Sequence, residues 1–116
     1  VRKSFGGGMR QVGYLAAAGI YALNNHIDRL AQDHNRAKII ADNLKRMNCI
    51  ENLRPVETNI VLFDVKESHL TKFKKILEEK NIQASFMGGN TIRFVTNLDF
   101  SDPQLELLCL SLKKLN

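Results

Sequence analysis

From Val12 to Leu23 the chain carries no charged residue. The surrounding stretch, residues 9–24, reads as a helix that is apolar almost all round. A helix without a polar face must be buried on every side. Gly13, Ala16, Ala17, Ala18 and Gly19 give it small surfaces against which other backbones can come close. A chain of 116 residues is one domain at most, with a modest core, and can hardly surround that helix itself. The expectation is therefore a partner, either another domain or another subunit, that covers it.

Immediately before this helix stands Phe5-Gly6-Gly7-Gly8-Met9-Arg10-Gln11-Val12-Gly13. Three glycines in a row allow backbone angles closed to other residues and a close approach to another surface. Loop N–H groups and the open N–H groups of a helix start can face one anion, with Arg10 beside them. A tight turn leading into a buried helix fits the same residues, and both readings stay open. The spacing is neither GxGxxG nor a P-loop, so no nucleotide motif is met.

The formal charge of +5 is unevenly placed. Residues 1–48 hold eight Lys/Arg against three Asp/Glu, whereas residues 49–116 hold nine of each. Such a bias suits nucleic acid or phosphate ligands, but also a solvated helix face. No stretch reaches the roughly 18 apolar residues of a membrane span. The first residues, Val1-Arg2-Lys3-Ser4, include no initiator methionine and no signal-peptide pattern, which suits a fragment or a processed chain. Cys49 and Cys109 match no metal spacing and no CxxC motif, and read as reduced and partly buried.

Asn24-Asn25 breaks the apolar run, and Asn25 can cap a second helix over roughly 26–48. Its inward face would be Ile27, Leu30, His34, Ala37, Ala41 and Leu44. His34 there reads as a hydrogen-bonded structural histidine. After the extended link Leu53-Arg54-Pro55, residues 59–65 form a strand rich enough in apolar side chains to be covered on both faces. Ser68 can cap a helix over about 69–80 with Leu70, Phe73 and Leu77 inward, and Asn81 suits its end. Ile82, Ala84 and Phe86 alternate as a short strand, Met87-Gly88-Gly89-Asn90 is a hairpin turn, and residues 91–96 return. Ser101-Asp102-Pro103-Gln104 is a capping box with Pro in the first turn, so a last helix follows with Leu105, Leu108, Leu112 and Leu115 buried.

These elements predict an α/β (α+β) small domain: two N-terminal helices, then β-α-β-β-α with a three-stranded mixed sheet. The β-α-β crossover makes the first two strands parallel, and the last strand inserts between them. Residues 1–26 form the glycine-rich loop and apolar helix; residues 27–116 form the small domain.

Arg93 is the most informative single residue. Ile92 and Phe94 face one side of their strand, so Arg93 and Val95 face the other. A charged side chain in mid-strand wants an anionic partner, which a salt bridge, solvent or a ligand can supply. His26, His34 and His69 lack HExxH-type spacing, and Asp33-His34, adjacent on a helix, diverge. No metal site and no Ser/His/Asp triad is read.

A more specific pattern runs along the chain. Arg2-Lys3, Gly6-Gly7-Gly8-Met9-Arg10-Gln11, Gly13 and Ala16-Ala17-Ala18-Gly19 resemble low-specificity threonine aldolases, pyridoxal-phosphate enzymes of the aspartate-aminotransferase fold type. The resemblance continues through Arg29-Leu30, Asp33-His34, Glu57-Thr58-Asn59 and Ile92-Arg93-Phe94-Val95-Thr96. It implies the C-terminal domain of such an enzyme, whose missing N-terminal domain and homo-oligomer subunits, in a dimer or tetramer, would be the partners. It implies that Arg93 binds the carboxylate of an amino-acid substrate and that Arg10 holds the pyridoxal 5'-phosphate phosphate, typically in a neighbouring subunit's site. Guanidinium geometry suits both roles. The Schiff-base lysine would lie upstream of residue 1, so this segment alone would be inactive, with no catalytic residue in it. One departure is Asn97, where the family often has His; Asn97 cannot titrate. The compartment implied is intracellular, cytoplasmic or mitochondrial.

The rival reading is a stand-alone βαββα binding module for RNA or a small regulator, which the +5 charge supports. The strands lack the paired exposed aromatics that stack bases in an RNA-recognition sheet, so no nucleic-acid partner is expected. It also leaves the uncharged helix unexplained.

Overall fold

The glycine loop of the chain does not join the helix behind it. In the structure, a computed structural model that describes Val1 and residues 3–115, residues 3–6 and 10–11 form turns and α1 spans Val12–Asn25. Arg2, one of the residues carrying the resemblance, lies outside the described residues. The chain falls into two compact units, Val1–Leu30 and Ala31–Asn116.

In the first unit α1 keeps none of its residues buried. Tyr14 is 80% and Leu23 67% exposed, so this unit by itself leaves the uncharged helix bare. Asn25 ends α1 instead of capping the helix that follows. Its Nδ2 donates to the Tyr21 carbonyl at 2.8 Å, answering one of the carbonyls that a helix end leaves open.

The second helix, α2, spans Leu30–Lys45, shorter at both ends than the expected 26–48. Ile27 and Leu30 continue the apolar spacing, yet both stay exposed, because residues 26–29 form a turn. The packed face of α2 is Asp33, Ala37, Ile40, Ala41 and Leu44. His34 is half-buried, and its ring makes no hydrogen bond among the described residues, contrary to the structural role expected of it. Arg36 clamps α2 to the last helix, donating from Nε to Asp102 Oδ1 at 2.8 Å and from Nη1 to the Phe100 carbonyl at 2.6 Å.

The remaining elements are β1 (Ile50–Glu51), β2 (Ile60–Val65), α3 (Glu67–Glu79), β3 (Ser85–Phe86), β4 (Thr91–Val95) and α4 (Asp102–Lys113). The sheet has four strands in the order β1-β2-β4-β3, and every neighbouring pair is antiparallel. The expected three-stranded mixed sheet is corrected on two counts. A two-residue strand is too short to show any periodicity, so β1 was not foreseen. The insertion of β4 between β2 and β3 does occur, and since both are antiparallel to β4 they run in the same direction, as expected; they share no ladder, however, so among the described residues no hydrogen-bonded pair is parallel and the sheet is not mixed. The hairpin turn is as read: Gly88 and Gly89 take φ of 102° and 57°, and the Met87 N–H donates to the Thr91 carbonyl at 3.0 Å.

Helix boundaries in this half follow local chemistry unevenly. Residue Lys66, not Ser68, precedes α3, without a side-chain cap; Ser68 lies inside the helix with its Oγ 2.9 Å from His69 Nδ1. Asn81 ends the turn after α3 in the left-handed region, φ 52°, a conformation Asn tolerates. At α4 the Ser101 N–H donates to Gln104 Oε1 at 2.7 Å, the back-bond of a capping box.

One core holds this unit together. Ala37, Ile40 and Leu44 of α2, Val61, Phe63 and Val65 of β2, Phe73 and Leu77 of α3, Ile92 and Phe94 of β4, and Leu108 and Leu112 of α4 form a continuous buried cluster. Phe63 sits at its centre, with ring centroids 5.9 Å from Phe73 and 5.2 Å from Phe94. The helices therefore cover one face of the sheet. Strand β2 is packed fully on one face and only in part on the other, where both were expected to be covered: Val61, Phe63 and Val65 are fully buried, while on the second face Asp64 is buried, Leu62 half-buried and Ile60 43% exposed.

Candidate functional site

The second face of the sheet carries the polar chemistry. Registers place Leu62 opposite Arg93, Asp64 opposite Thr91 and Ile60 opposite Val95, and Ser85 opposite Arg93 on the other side. Directly paired residues share a face, so Ser85, Arg93 and Leu62 form one row and Thr91 and Asp64 the next.

Arg93 occupies the middle of the central strand β4, half-buried. Its Nη2 donates to Ser85 Oγ at 3.3 Å. Its Nε is buried and makes no hydrogen bond, and among the described residues no carboxylate pairs with it. A buried guanidinium nitrogen without an acceptor is costly. The arrangement leaves this nitrogen without an acceptor among the described residues.

The nearest acidic side chain on the same face is already engaged. Asp64 is buried. Its Oδ1 accepts from Thr91 Oγ1 at 2.8 Å; its Oδ2 accepts from Asn52 Nδ2 at 3.0 Å and from Arg54 Nη1 at 3.2 Å. The hydrogen bond from Thr91, with those from Asn52 and Arg54, holds the Asp64 carboxyl below its ordinary range. Arg54 also donates to the Asn52 carbonyl. Asn52 takes φ 46°, which Asn accepts more readily than most residues. Sequence reasoning missed Asp64; the signal available was a lone acid inside an otherwise apolar strand, Ile60–Val65.

A folded-state pKa held below the unfolded one adds stability above the unfolded pKa, and that stability is lost as pH falls through the folded pKa. Asp64→Asn should therefore flatten the acid limb of stability below about pH 4, the ordinary aspartate range. Urea midpoints between about pH 5 and 2.5 measure this; an unchanged acid limb would mean Asp64 gains nothing from its three donors.

Two motif residues prove to be struts. Asn59 Nδ2 donates to the Thr96 carbonyl at 2.7 Å, and the Thr96 N–H returns to the Asn59 carbonyl at 3.0 Å. Thr96 Oγ1 donates to the Asp33 carbonyl at 2.8 Å, fixing the end of β4 to the start of α2. Asn97 accepts the Asp99 N–H on Oδ1 at 2.9 Å and so serves a turn.

Arg10 belongs to the first unit, in a turn before α1, and is exposed. No described residue bonds its side chain. Gly6 nearby takes φ 79°, and a Cβ there would meet nothing within 4 Å. α1 begins with neither a side-chain cap nor an acidic first turn, so neither answers its positive end. Burial pushes the thiols of Cys49 and Cys109 up, away from nucleophile character. Among the described residues no three His, Cys, Asp or Glu side chains gather to hold a metal, and no helix is long and apolar enough to cross a membrane.

Comparison with known sequences adds what geometry alone does not. The sequence model of the beta-eliminating lyases matches residues 1–68. The chain belongs to the beta-eliminating lyase family. Among its relatives, low-specificity L-threonine aldolase 1 of Arabidopsis thaliana is 40% identical over 115 residues, covering 94% of this chain and 32% of the relative. The low specificity L-threonine aldolase of Escherichia coli K12 is 38% identical over 104 residues, covering 90% and 30%. A probable low-specificity L-threonine aldolase 2 of Arabidopsis thaliana is 34% identical, covering 99% and 34%. This lyase-family chain thus spans about a third of the length of the relatives it matches.

Proposed function

We propose that the chain is the C-terminal part of a pyridoxal-phosphate threonine aldolase that cleaves L-threonine or L-allo-threonine to glycine and acetaldehyde, an intracellular enzyme, cytoplasmic or mitochondrial. The observation that carries this reading is Arg93. It is a mid-strand guanidinium with a buried, unbonded Nε, in a chain whose relatives are named for an amino-acid substrate. Membership of a lyase family also weighs against a stand-alone RNA-binding module.

In this reading the two planar N–H groups of Arg93 meet the two oxygens of the substrate carboxylate. They hold the amino acid so that the Cα–Cβ bond takes the orientation needed to break, a contribution of position and not of proton transfer. The cofactor, when bound, supplies the electron sink for the charge left on Cα. Arg10 suits its phosphate: an exposed guanidinium without an internal partner, beside a glycine loop and an uncapped helix start. The lysine that bonds the cofactor would lie in the preceding part of the enzyme, so residues 1–116 alone would not turn over substrate. The bare helix α1 would be covered there by the cofactor domain or by a neighbouring subunit.

Arg10→Ala in the full-length enzyme should weaken retention of the cofactor more than it slows bond cleavage in loaded enzyme. Cofactor absorbance followed after dilution reads the first and a single-turnover assay the second. Unchanged retention with a slowed cleavage step would remove Arg10 from the phosphate site.

A further inference from the structure

The sheet puts a carboxylate and an arginine that has no carboxylate partner among the described residues on one face, in consecutive same-face pairs. Arg93 faces Leu62 and Asp64 faces Thr91 in consecutive same-face pairs of the β2–β4 ladder. Such diagonal neighbours have Cβ atoms about 7–8 Å apart or less, within the reach of a long side chain. An unengaged aspartate there would take Arg93 as its counter-ion. Instead, the ion pair of Asp64 is with Arg54, at 3.2 Å, and both its oxygens are supplied by Thr91, Asn52 and Arg54.

We propose that Thr91, Asn52 and Arg54 act as a guard on Asp64, so that Arg93 stays open to an incoming carboxylate. The inference rests on the reading of Arg93 as the carboxylate-binding group. Thr91 and Arg54 are positioning residues: they touch neither substrate nor cofactor and act through Asp64. The left-handed backbone of Asn52 fits this role, since it sets the Asn52 side chain on Asp64 while the Asn52 carbonyl takes a bond from Arg54. The sheet alone would place an internal competitor beside the substrate's anchor, and the three donors disarm it.

The test uses full-length holoenzyme. Thr91→Val with Arg54→Gln strips two of the three donors and frees Asp64 to swing to Arg93. KM for threonine should rise about five- to tenfold, with kcat within about twofold, because the competition is with ground-state binding. Adding Asp64→Asn should bring KM back to within about twofold of wild type, the non-additivity expected of coupled neighbours. A KM that stays high in the triple variant would show a merely structural effect and overturn the guard. An unchanged KM in the double variant would overturn it as well. Arg54→Gln alone, at a half-exposed position, gives a milder version should the double variant fold poorly.

A readout without substrate separates this proposal from the reading beneath it. The Arg93 Nε–H resonance should shift in the double variant and return in the triple. That shift, in an enzyme that Arg93→Ala leaves fully active, would uphold the competition between Asp64 and Arg93 and overturn only the assignment of substrate to Arg93. No shift would overturn the guard itself.

Discussion

Arg93→Ala in the full-length enzyme should lower kcat/KM for threonine by roughly thirtyfold to several thousandfold. The range follows from truncating one partner of a buried charge pair, about 2–5 kcal/mol, at about 1.4 kcal/mol per tenfold. The site supplies little to compensate. Nε of Arg93 has no acceptor among the described residues, and the nearby Ser85 hydroxyl is neutral. Arg93→Lys should recover only part of the loss, since an ammonium is a point charge and not a planar fork. The loss should follow the carboxylate: an amino-alcohol analogue lacking it should bind wild type and Arg93→Ala about equally. Cofactor absorbance should stay unchanged. A mutant that binds the analogue much more weakly, or loses cofactor while keeping affinity for threonine, would make Arg93 a structural residue.

Phe63→Ala should be the most damaging single truncation in the core, at about 3–5 kcal/mol. Phe63 is fully buried and contacts the rings of Phe73 and Phe94, so both a helix and the neighbouring strand lose a surface at once. That is a large share of the roughly 5–15 kcal/mol by which a domain is stable. With a urea slope of about 1–3 kcal/mol per molar, the midpoint of the 116-residue chain should fall by one molar or more. Leu62→Ala, one residue away on the half-buried face, should cost much less. Equal losses at the two positions would mean that both faces of β2 are packed within this unit.

The uneven legibility of the chain has physical causes. Where structure is made by neighbours in sequence, it was readable: Ser101 with Gln104, the Gly88-Gly89 turn, and the leucine stripe of Leu105, Leu108 and Leu112 in α4 and Leu115 in the turn after it, all buried. Where a partner far along the chain decides, it was not. Strand β1 exists because Ile50 finds Val65, and nothing within two residues announces that. The apolar spacing of Ile27 and Leu30 extends the pattern of α2 past the point where the chain turns. On the second sheet face, alternation was enough to place Arg93 opposite Ile92 and Phe94. Asp64 was hidden by the apolar residues around it, and its donors Asn52 and Arg54 come from a segment that reads only as a link.

The single-sided core has a consequence for how such a chain can vary. Along β2 and β4 the residues that hold the fold, Val61, Phe63, Ile92 and Phe94, alternate with those that face outward, Leu62, Arg93 and Val95. Odd and even positions of the same two strands therefore answer to different selective demands. Drift or directed evolution can reshape the outward set, and with it the choice of ligand, while the inward set keeps the scaffold standing. A saturation library confined to Leu62 and Val95 should retain folded clones at far higher frequency than one at Phe63 and Phe94, which makes these strands a convenient place to retune recognition without rebuilding the domain.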